Sequence, residues 1–420
     1  MKYRRIKGTQ DILPEETIVW QSVESGIRKL MDIFNYREIR TPVFEQTSLF
    51  SRGIGQLTDI VSKEMYTFQD KGKKSLTLKP EMTAPVIRAY LENNLSALSS
   101  LTKLYYFSPL FRQENPQAGR LRQFHQFGAE VIGVKSAHLD AEIILLAMKI
   151  YEELGINHLT LKLNSIGTPQ SRQKYAAALK KYFKPRLPDY CKECHQRFES
   201  NPLRILDCKN ETCRRLNQQA PKMLDFLEKE SLDHFNLVQD LLVENAVDFQ
   251  IAPYLVRGLD YYTDTVFEIT STQLGAQDAI CGGGRYDLLA EQLGGKPTPA
   301  VGFASGIERL LMVMKAQDLI KNDDRRLDIF ICLLGETVER QGMAWTQRLR
   351  AAGFKVERDY QQRSLKAQMR DANKQQARFV LILGEDESEK QIFSVKDMKA
   401  GTQTEVPFNE VISYLKNQSA

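Results

Sequence analysis

No run of eighteen or more apolar residues occurs in the 420-residue chain, which excludes a membrane-spanning helix. The start, MKYRRIKGTQDILPEE, is basic but has no apolar stretch behind it. It does not read as a secretory leader, and a cytoplasmic protein is the expectation. Excess charge of one sign is also missing: 58 Lys and Arg against 53 Asp and Glu leave a net +5. That permits nucleic-acid binding without arguing for it. Internal repeats and low-complexity tracts are absent. Cysteine is scarce, six in all, and four of them fall between 191 and 213. In a cytosolic chain such clustering is metal-like or accidental rather than a disulfide framework.

What is present is the composition of a globular protein, 42% hydrophobic and 26% charged, at a length that implies two or three domains. Residues 17 to 34 place Val19, Val23, Ile27, Leu30 and Met31 on one helical face. Short β-rich runs follow: YREIRTPVFE, MYTFQD, SLTLKP, KLYYFSPLFRQE and RQFHQFGAEVIG. With no long helical crossovers between them, they predict an antiparallel sheet. A helix is expected at 138 to 154 and a strand at LTLKLNSIG. Residues 165 to 247 hold the four cysteines and long Lys/Glu-rich helical patterns, and read as an inserted helical subdomain. Strand-like sequence returns in YLVRGLDYYTDTVFEITS and QDAICGGGRYD, before the apolar helix GIERLLMVMKAQ.

KNDDRR at 321 to 326 is a charged break and a plausible linker. Beyond it, strands and helices alternate, which predicts a separate α/β domain with a parallel-type sheet. Arg363, Lys366, Arg370 and Lys374 share one face of its second helix. That face is either ordinary solvated surface, the slightly preferred reading, or a ridge that touches phosphates.

Several segments could carry chemistry. In FRQENPQAGRLRQFHQFGAE, Arg112 and Glu114 share one strand face, and Gln126 and Glu130 share a face on the next, if the loop between makes a hairpin. Arg120 and Arg122 in that loop suit phosphate oxygens, because a guanidinium offers two parallel donors. Phe124 and His125 are rings available for base stacking. The alternative, a polar hairpin with surface salt bridges, would contribute little energy. In LKPEMTAPVIRAY, Glu81 and Thr83 either accept from an ammonium group or cap a helix. CGGGRYD is no Walker loop, since no Gly-Lys-Ser/Thr follows; its glycines admit close approach or mark a bulge. Arg309 lies near the start of its helix, facing a triphosphate or a structural partner. Cys191 and Cys194 with Cys208 and Cys213 approximate a four-thiolate zinc spacing, with His195 as a spare ligand. The looser second pair tilts the reading toward plain buried thiols and no metal.

Taken together these segments resemble the class II aminoacyl-tRNA synthetases, and within them the histidyl-tRNA synthetase family. GTQDILPEE looks like that family's opening. REIRTPVFEQTSLFSRGIG looks like the dimer-forming first class motif, FRQENPQAGRLRQFHQFGAE like the second and VGFASGIERLL like the third. LVRGLDYYT and CGGGRYD resemble two signatures peculiar to the histidine enzyme. The chain departs from the pattern at Lys79, Met82, Asn115 and Leu121.

The resemblance implies an α+β fold: a catalytic domain on an antiparallel sheet (1–164 and 248–322) interrupted by a helical insertion (165–247), then an α/β anticodon-binding domain (327–420). It implies a homodimer that joins histidine to ATP, with Mg²⁺ on the phosphates, and passes the histidyl group to histidine tRNA. On that basis Glu81, Thr83 and Gln126 hold the α-amino group, with Met82 beside them. Glu130 and Tyr262 read the imidazole, with Tyr261 lining the pocket. Arg112 clamps the α-phosphate, and Arg257 faces it from across and stabilises charge. Glu114 and Phe124 hold adenine, Arg309 meets the γ-phosphate, and Arg120 lies near the phosphates or the tRNA end. Asp260 would orient its neighbours. Arg122, Arg363, Lys366 and Arg370 are expected to touch tRNA. The rival from another class is a non-catalytic relative, the regulatory subunit of ATP phosphoribosyltransferase. Such chains typically lose the arginine signature and the C-terminal domain, both of which are intact here.

Overall fold

A computed structural model describes residues 3–53, 58, 60–274, 278–320 and 327–419. The chain divides into two units, Met1–Lys321 and Asn322–Ala420. The linker expected at 321–326 lies outside the described residues.

The first unit holds eleven of the strands among the described residues. They are β1 (Arg37–Glu38), β2 (Phe44–Gln46), β3 (Tyr66–Gln69), β4 (Ser75–Leu78), β5 (Thr102–Phe111), β6 (Gln123–Ile132), β7 (Leu159–Ser165), β8 (Gln250–Ile251), β9 (Thr263–Ser271), β10 (Ala279–Arg285) and β11 (Ala300–Gly306). Eight of these form one sheet in the order β1-β5-β6-β11-β10-β9-β7-β8, and β2, β4 and β3 form a small second sheet. The large sheet is antiparallel throughout its centre, as its helix-poor connections require; only the edge pairs β1–β5 and β7–β8 are parallel.

Side chains alternate across this sheet. On β6, Phe127, Ala129 and Val131 turn into a core shared with the helices Pro14–Ile33 and Ala137–Glu153. Those helices form where apolar residues recur at helical spacing; the second begins at Ser136, whose hydroxyl accepts from the His138 N–H at 3.3 Å. Gln126, Gly128 and Glu130 therefore face the other side. That side carries the site.

Between β7 and β8 the chain makes the helices Pro169–Phe183, Lys192–Ser200, Glu211–Asn217 and Lys229–Glu244. The first three surround a core of their own, with Tyr175, Leu179, Phe183, Tyr190 and the cysteines 194, 208 and 213 buried in it. The fourth instead sends Phe235, Val238 and Leu242 into the large sheet's core.

One expected strand differs. LVRGLDYY, Leu255–Tyr262, is irregular, and the strand begins only at Thr263. The Leu255 N–H turns back to the Ala252 carbonyl, and the Leu255 carbonyl accepts from Asn164 Nδ2 at 3.1 Å rather than from a neighbouring strand.

The second unit contains β12 (Ile329–Leu334), β13 (Val356–Arg358), β14 (Phe379–Gly384), β15 (Ile392–Asp397) and β16 (Gln403–Pro407), in the order β13-β12-β14-β15-β16. The first three are parallel, as the alternation with helices requires. β15 and β16 add an antiparallel edge that the expected parallel-type sheet did not include. Ile329, Ile331 and Leu333 fill one core, and Phe330 and Cys332 another, so both faces are covered.

Candidate active site

The floor of the site is made of residues with little or no side chain. Strand registers align Glu130 with Gly302 and Gly302 with Gly284; two residues along, Gly128 aligns with Ala304 and Ala304 with Gly282. Three adjacent strands, β6, β11 and β10, thus present Gly or Ala beside Glu130 on the same face, leaving a trough above the sheet centre. The glycines also make room for polar side chains of the protein itself. A Cβ on Gly302 would overlap the Glu130 carboxylate, one on Gly128 the Tyr106 hydroxyl, and one on Gly282 the Arg257 guanidinium. Close approach was one of two readings of CGGGRYD. The other holds as well, because the register of β10 against β9 shifts at Ala279/Cys281 and Gly284/Arg285. Arg285 itself is fully buried in ion pairs with Asp140 and Asp287, a structural post.

At one end of the trough Glu130 is buried, and three hydroxyls donate to it: Thr83 at 3.0 Å, Tyr106 at 3.4 Å and Tyr286 on the other carboxylate oxygen. Burial pushes its carboxyl up to about 8, against those hydrogen bonds. Tyr261 packs beside it, its ring 4.8 Å from that of Tyr262 and 5.6 Å from that of Tyr286. Burial also raises the hydroxyl pKa of both Tyr261 and Tyr262, so both rings carry protonated donors. Glu81 accepts from the Thr83 and Ala84 N–H groups at 2.7 and 3.0 Å, so it caps the helix Thr83–Glu92. Desolvation raises its carboxyl as well.

In the middle lies Arg257. Its Nη1 donates to Glu268 at 2.8 Å, its guanidinium lies 6.0 Å from the centre of the Tyr262 ring, and its buried Nε has no hydrogen-bond partner. A buried, unpaired guanidinium donor is costly and calls for an explanation.

At the far end, Arg112 donates to the Pro80 carbonyl at 2.9 Å and lies 5.2 Å from the centre of the Phe124 ring. Arg120 pairs with Glu114 at 3.3 Å, while the buried Oε2 of Glu114 lacks an aligned hydrogen bond. Arg309 donates to the carbonyls of Gly119 and Ala279. Its pKa is lowered, first by burial and then by the like charge of Arg120, with a smaller contribution from Arg112.

Other expected residues fall elsewhere. His125 is on the opposite sheet face, bound to Glu308 at 2.9 Å with its ring edge-on to Trp20, so Phe124 alone is available for stacking. Met82 is buried with its sulfur 3.7 Å from the Thr41 hydroxyl, a packing position that offers no polar hold. Lys79, also buried, donates to Thr41, and desolvation lowers it to about 8. Asp260 does not orient Arg257 or the tyrosines: its carboxylate accepts from Asn201 at 3.4 Å and its carbonyl from Arg172 at 3.2 Å. Arg122 packs against Gly8, whose carbonyl accepts from the Arg122 N–H at 2.7 Å. In the second unit Arg363 is tied to Asp359 and Asp371, whereas Lys366 and Arg370 are exposed. Gln126 shares the trough face with Glu130.

Tyr106, Tyr286 and Glu268 belong to the site and were not anticipated. Tyr106 lies on β5 with the parity of Ser108 and Leu110, and Tyr286 and Glu268 lie within the segments CGGGRYD and YLVRGLDYYTDTVFEITS already singled out, so alternation would have found the first.

A trough over an antiparallel sheet, edged by arginines and closed at one end by a buried carboxylate, defines the class II aminoacyl-tRNA synthetases. The family model for histidyl-tRNA synthetase matches residues 8–310, and that for an anticodon-binding domain matches 328–418. The chain is 48% identical over 411 residues to the histidine–tRNA ligase of Thermoanaerobacter pseudethanolicus and 49% identical over 412 residues to that of Desulforamulus reducens, with 98% of each chain covered. It superposes on the crystal structure of apo Staphylococcus aureus histidyl-tRNA synthetase with a TM-score of 0.83 at 37% identity, over 99% of this chain and 100% of that one. The chain belongs to the histidyl-tRNA synthetase family.

Proposed function

We propose that this chain joins histidine to ATP as histidyl-adenylate, with release of pyrophosphate, and then passes the histidyl group to the 3′ end of histidine tRNA. The observation that carries this reading is the order of groups along one sheet face. Glu130 stands at one end, Arg257 over Gly282 in the middle, and Phe124 with Arg112 at the other. Six residues of strand separate Glu130 from Phe124, about 20 Å, enough for an aminoacyl nucleotide laid along the trough.

Each role follows from chemistry. Glu130 accepts an imidazole N–H, and the tyrosine hydroxyls of 261 and 262 can serve the other ring nitrogen. An apolar amino acid would leave these buried groups unpaired, which gives strong discrimination. Gln126, Thr83 and the remaining lone pairs of Glu81 receive the α-ammonium group. Arg257 and Arg112 approach the α-phosphate from either side, where charge grows as the carboxylate attacks in line and pyrophosphate leaves. Fixed positive charge and positioning accelerate this step without a protein nucleophile. Phe124 stacks on adenine, and the unaligned Glu114 oxygen accepts from its amino group. Arg309 and Arg120 hold the outer phosphates. Mg²⁺ arrives with ATP as part of the substrate, and the carboxylates of Glu114 and Glu268 are the anionic groups beside these arginines that would share in holding it.

Lys366 and Arg370 supply the exposed cations for tRNA in the second unit, and Arg122 with its loop the contact near the 3′ end. Phe44 and Phe68 are exposed together on the small sheet, their rings 6.4 Å apart, with exposed Val43 just before it, which favours self-association there and hence a homodimer. No helix among the described residues is long and apolar enough to cross a membrane. The cytoplasm, where tRNA is charged, is the place of work. The regulatory-subunit reading has no use for an unpaired Arg257 Nε or an anticodon-binding unit.

The experiment is histidine-dependent exchange of pyrophosphate into ATP. Purified protein is expected to catalyse it, and Arg257→Ala to lose it by two orders of magnitude or more while still binding ATP. Absence of exchange by folded protein would remove the proposal.

A further inference from the structure

The four cysteines that sequence spacing inclined toward plain thiols come together. The Sγ atoms of Cys191, Cys194, Cys208 and Cys213 all lie within 4.8 Å of one another, and three of the four residues are buried. Cys191 and Cys208 are 3.8 Å apart and Cys194 and Cys213 are 3.9 Å apart. Four thiolates about 2.3 Å from one zinc ion form a tetrahedron whose edges are about 3.8 Å. A disulfide needs about 2.05 Å, and none of the four is bonded to another. The spread is also too small for an iron–sulfur cluster, so the cage suits a single thiophilic ion.

Two further features belong to a metal knuckle rather than to packed thiols. The Cys191 N–H is directed at Cys213 Sγ at 3.4 Å, the kind of backbone donor that settles negative charge on a ligating sulfur. Three of the four ligands sit at helix starts: Cys191 is the residue before Lys192–Ser200, Cys194 lies in that helix's first turn, and Cys213 in the first turn of Glu211–Asn217. His195 is exposed and stands outside the cluster. A cleft of about 380 Å³, with Cys191 and Cys208 on its wall, gives an ion access.

We propose that these cysteines hold one structural zinc ion, and that this ion braces the loop that carries Arg257. The loop hangs on the subdomain the cysteines hold together. The Tyr254 hydroxyl donates to the Gln218 and Ala220 carbonyls at 3.0 and 2.8 Å, and Tyr254 and Val256 pack against the cysteine core. Asn201, between the two cysteine pairs, donates to the Asp260 carboxylate. A core this small gains much from a metal staple. The zinc site itself stands on geometry alone. Its effect on Arg257 rests on the proposed function.

The test uses the full chain purified without chelator. Elemental analysis is expected to return one zinc per chain, and a mercurial that titrates the thiols to release it. Cobalt substitution should give the intense sulfur-to-metal absorption of a tetrahedral four-thiolate centre. Cys208→Ser/Cys213→Ser should lose the metal; if that variant does not fold, the wild-type titration still decides. Less than a tenth of an equivalent of zinc, with the four thiols free or oxidised, would overturn the site, as would stoichiometric iron. Hydrogen exchange across residues 252–262 should quicken on zinc removal. Unchanged exchange there would overturn the brace, whatever the adenylation assay shows.

Discussion

Gly282 leaves the space in which the guanidinium of Arg257 lies; a Cβ at that position would overlap Nη1, Nη2 and Cζ together. The obstructed atoms are the far end of a flexible side chain, so Gly282→Ala is expected to move Arg257 rather than unfold the sheet. Adenylation kcat should fall about 10²- to 10³-fold, near the effect of removing one preorganised charge contact. Thermal unfolding should stay close to that of wild type. Normal kcat in this variant would detach Arg257 from the reacting phosphate.

Gly302 stands in the same relation to Glu130. Gly302→Ala would press on the carboxylate and on the Ala129 carbonyl behind it. Because backbone is also crowded, a loss of stability of about 1–3 kcal/mol is expected together with a raised KM for histidine. An unchanged histidine KM in the folded variant would mean that Glu130 does not touch the amino acid.

The pH dependence follows from Glu130, whose folded carboxyl is pushed up to about 8. A free imidazole titrates near 6.5. Between these values the pocket and histidine together carry the one proton their contact needs. KM for histidine should therefore be lowest in that window, rising below it as a proton must leave and above it as one must be taken up. The same shift acts on stability. A carboxyl at about 4.3 in the unfolded chain and higher when folded gives stability that is full below the lower value and lost as pH rises toward the upper one. Glu130→Gln should thus gain thermal stability over wild type between pH 5.5 and 8.5. A constant difference across that range would place the carboxyl in its ordinary state.

In the second unit, Lys366→Ala with Arg370→Ala should raise the KM for tRNA several-fold, less so at high salt, and spare pyrophosphate exchange. Arg363→Ala should instead lower the stability of that unit, because it would leave the buried Asp359 without its ion pair. If the double variant charges tRNA normally, the exposed face is only solvated surface.

Much of the site was legible because alternation along a strand is strict. Gln126 and Glu130 could be put on a common face from sequence alone, and the same parity sends His125 to the other side. Arg112 and Glu114, expected on a strand face, instead lie past the end of β5 in irregular chain. The Arg257 loop was not legible. Its path depends on Asn164 and on the Tyr254 anchors in a subdomain remote in sequence, and periodicity sees neither. Tyr286 was hidden for a similar reason: its bond to Glu130 spans 156 residues. The cysteines show the converse. The second pair looked loose by spacing, yet the helix starts at Cys191, Cys194 and Cys213 and the chain through Cys208 bring all four sulfurs together.

The most direct measurement is amino-acid-dependent exchange of pyrophosphate into ATP, run with each of the twenty amino acids. The account predicts exchange with histidine and none above background with the others. Exchange driven by a different amino acid, or by none, would contradict it.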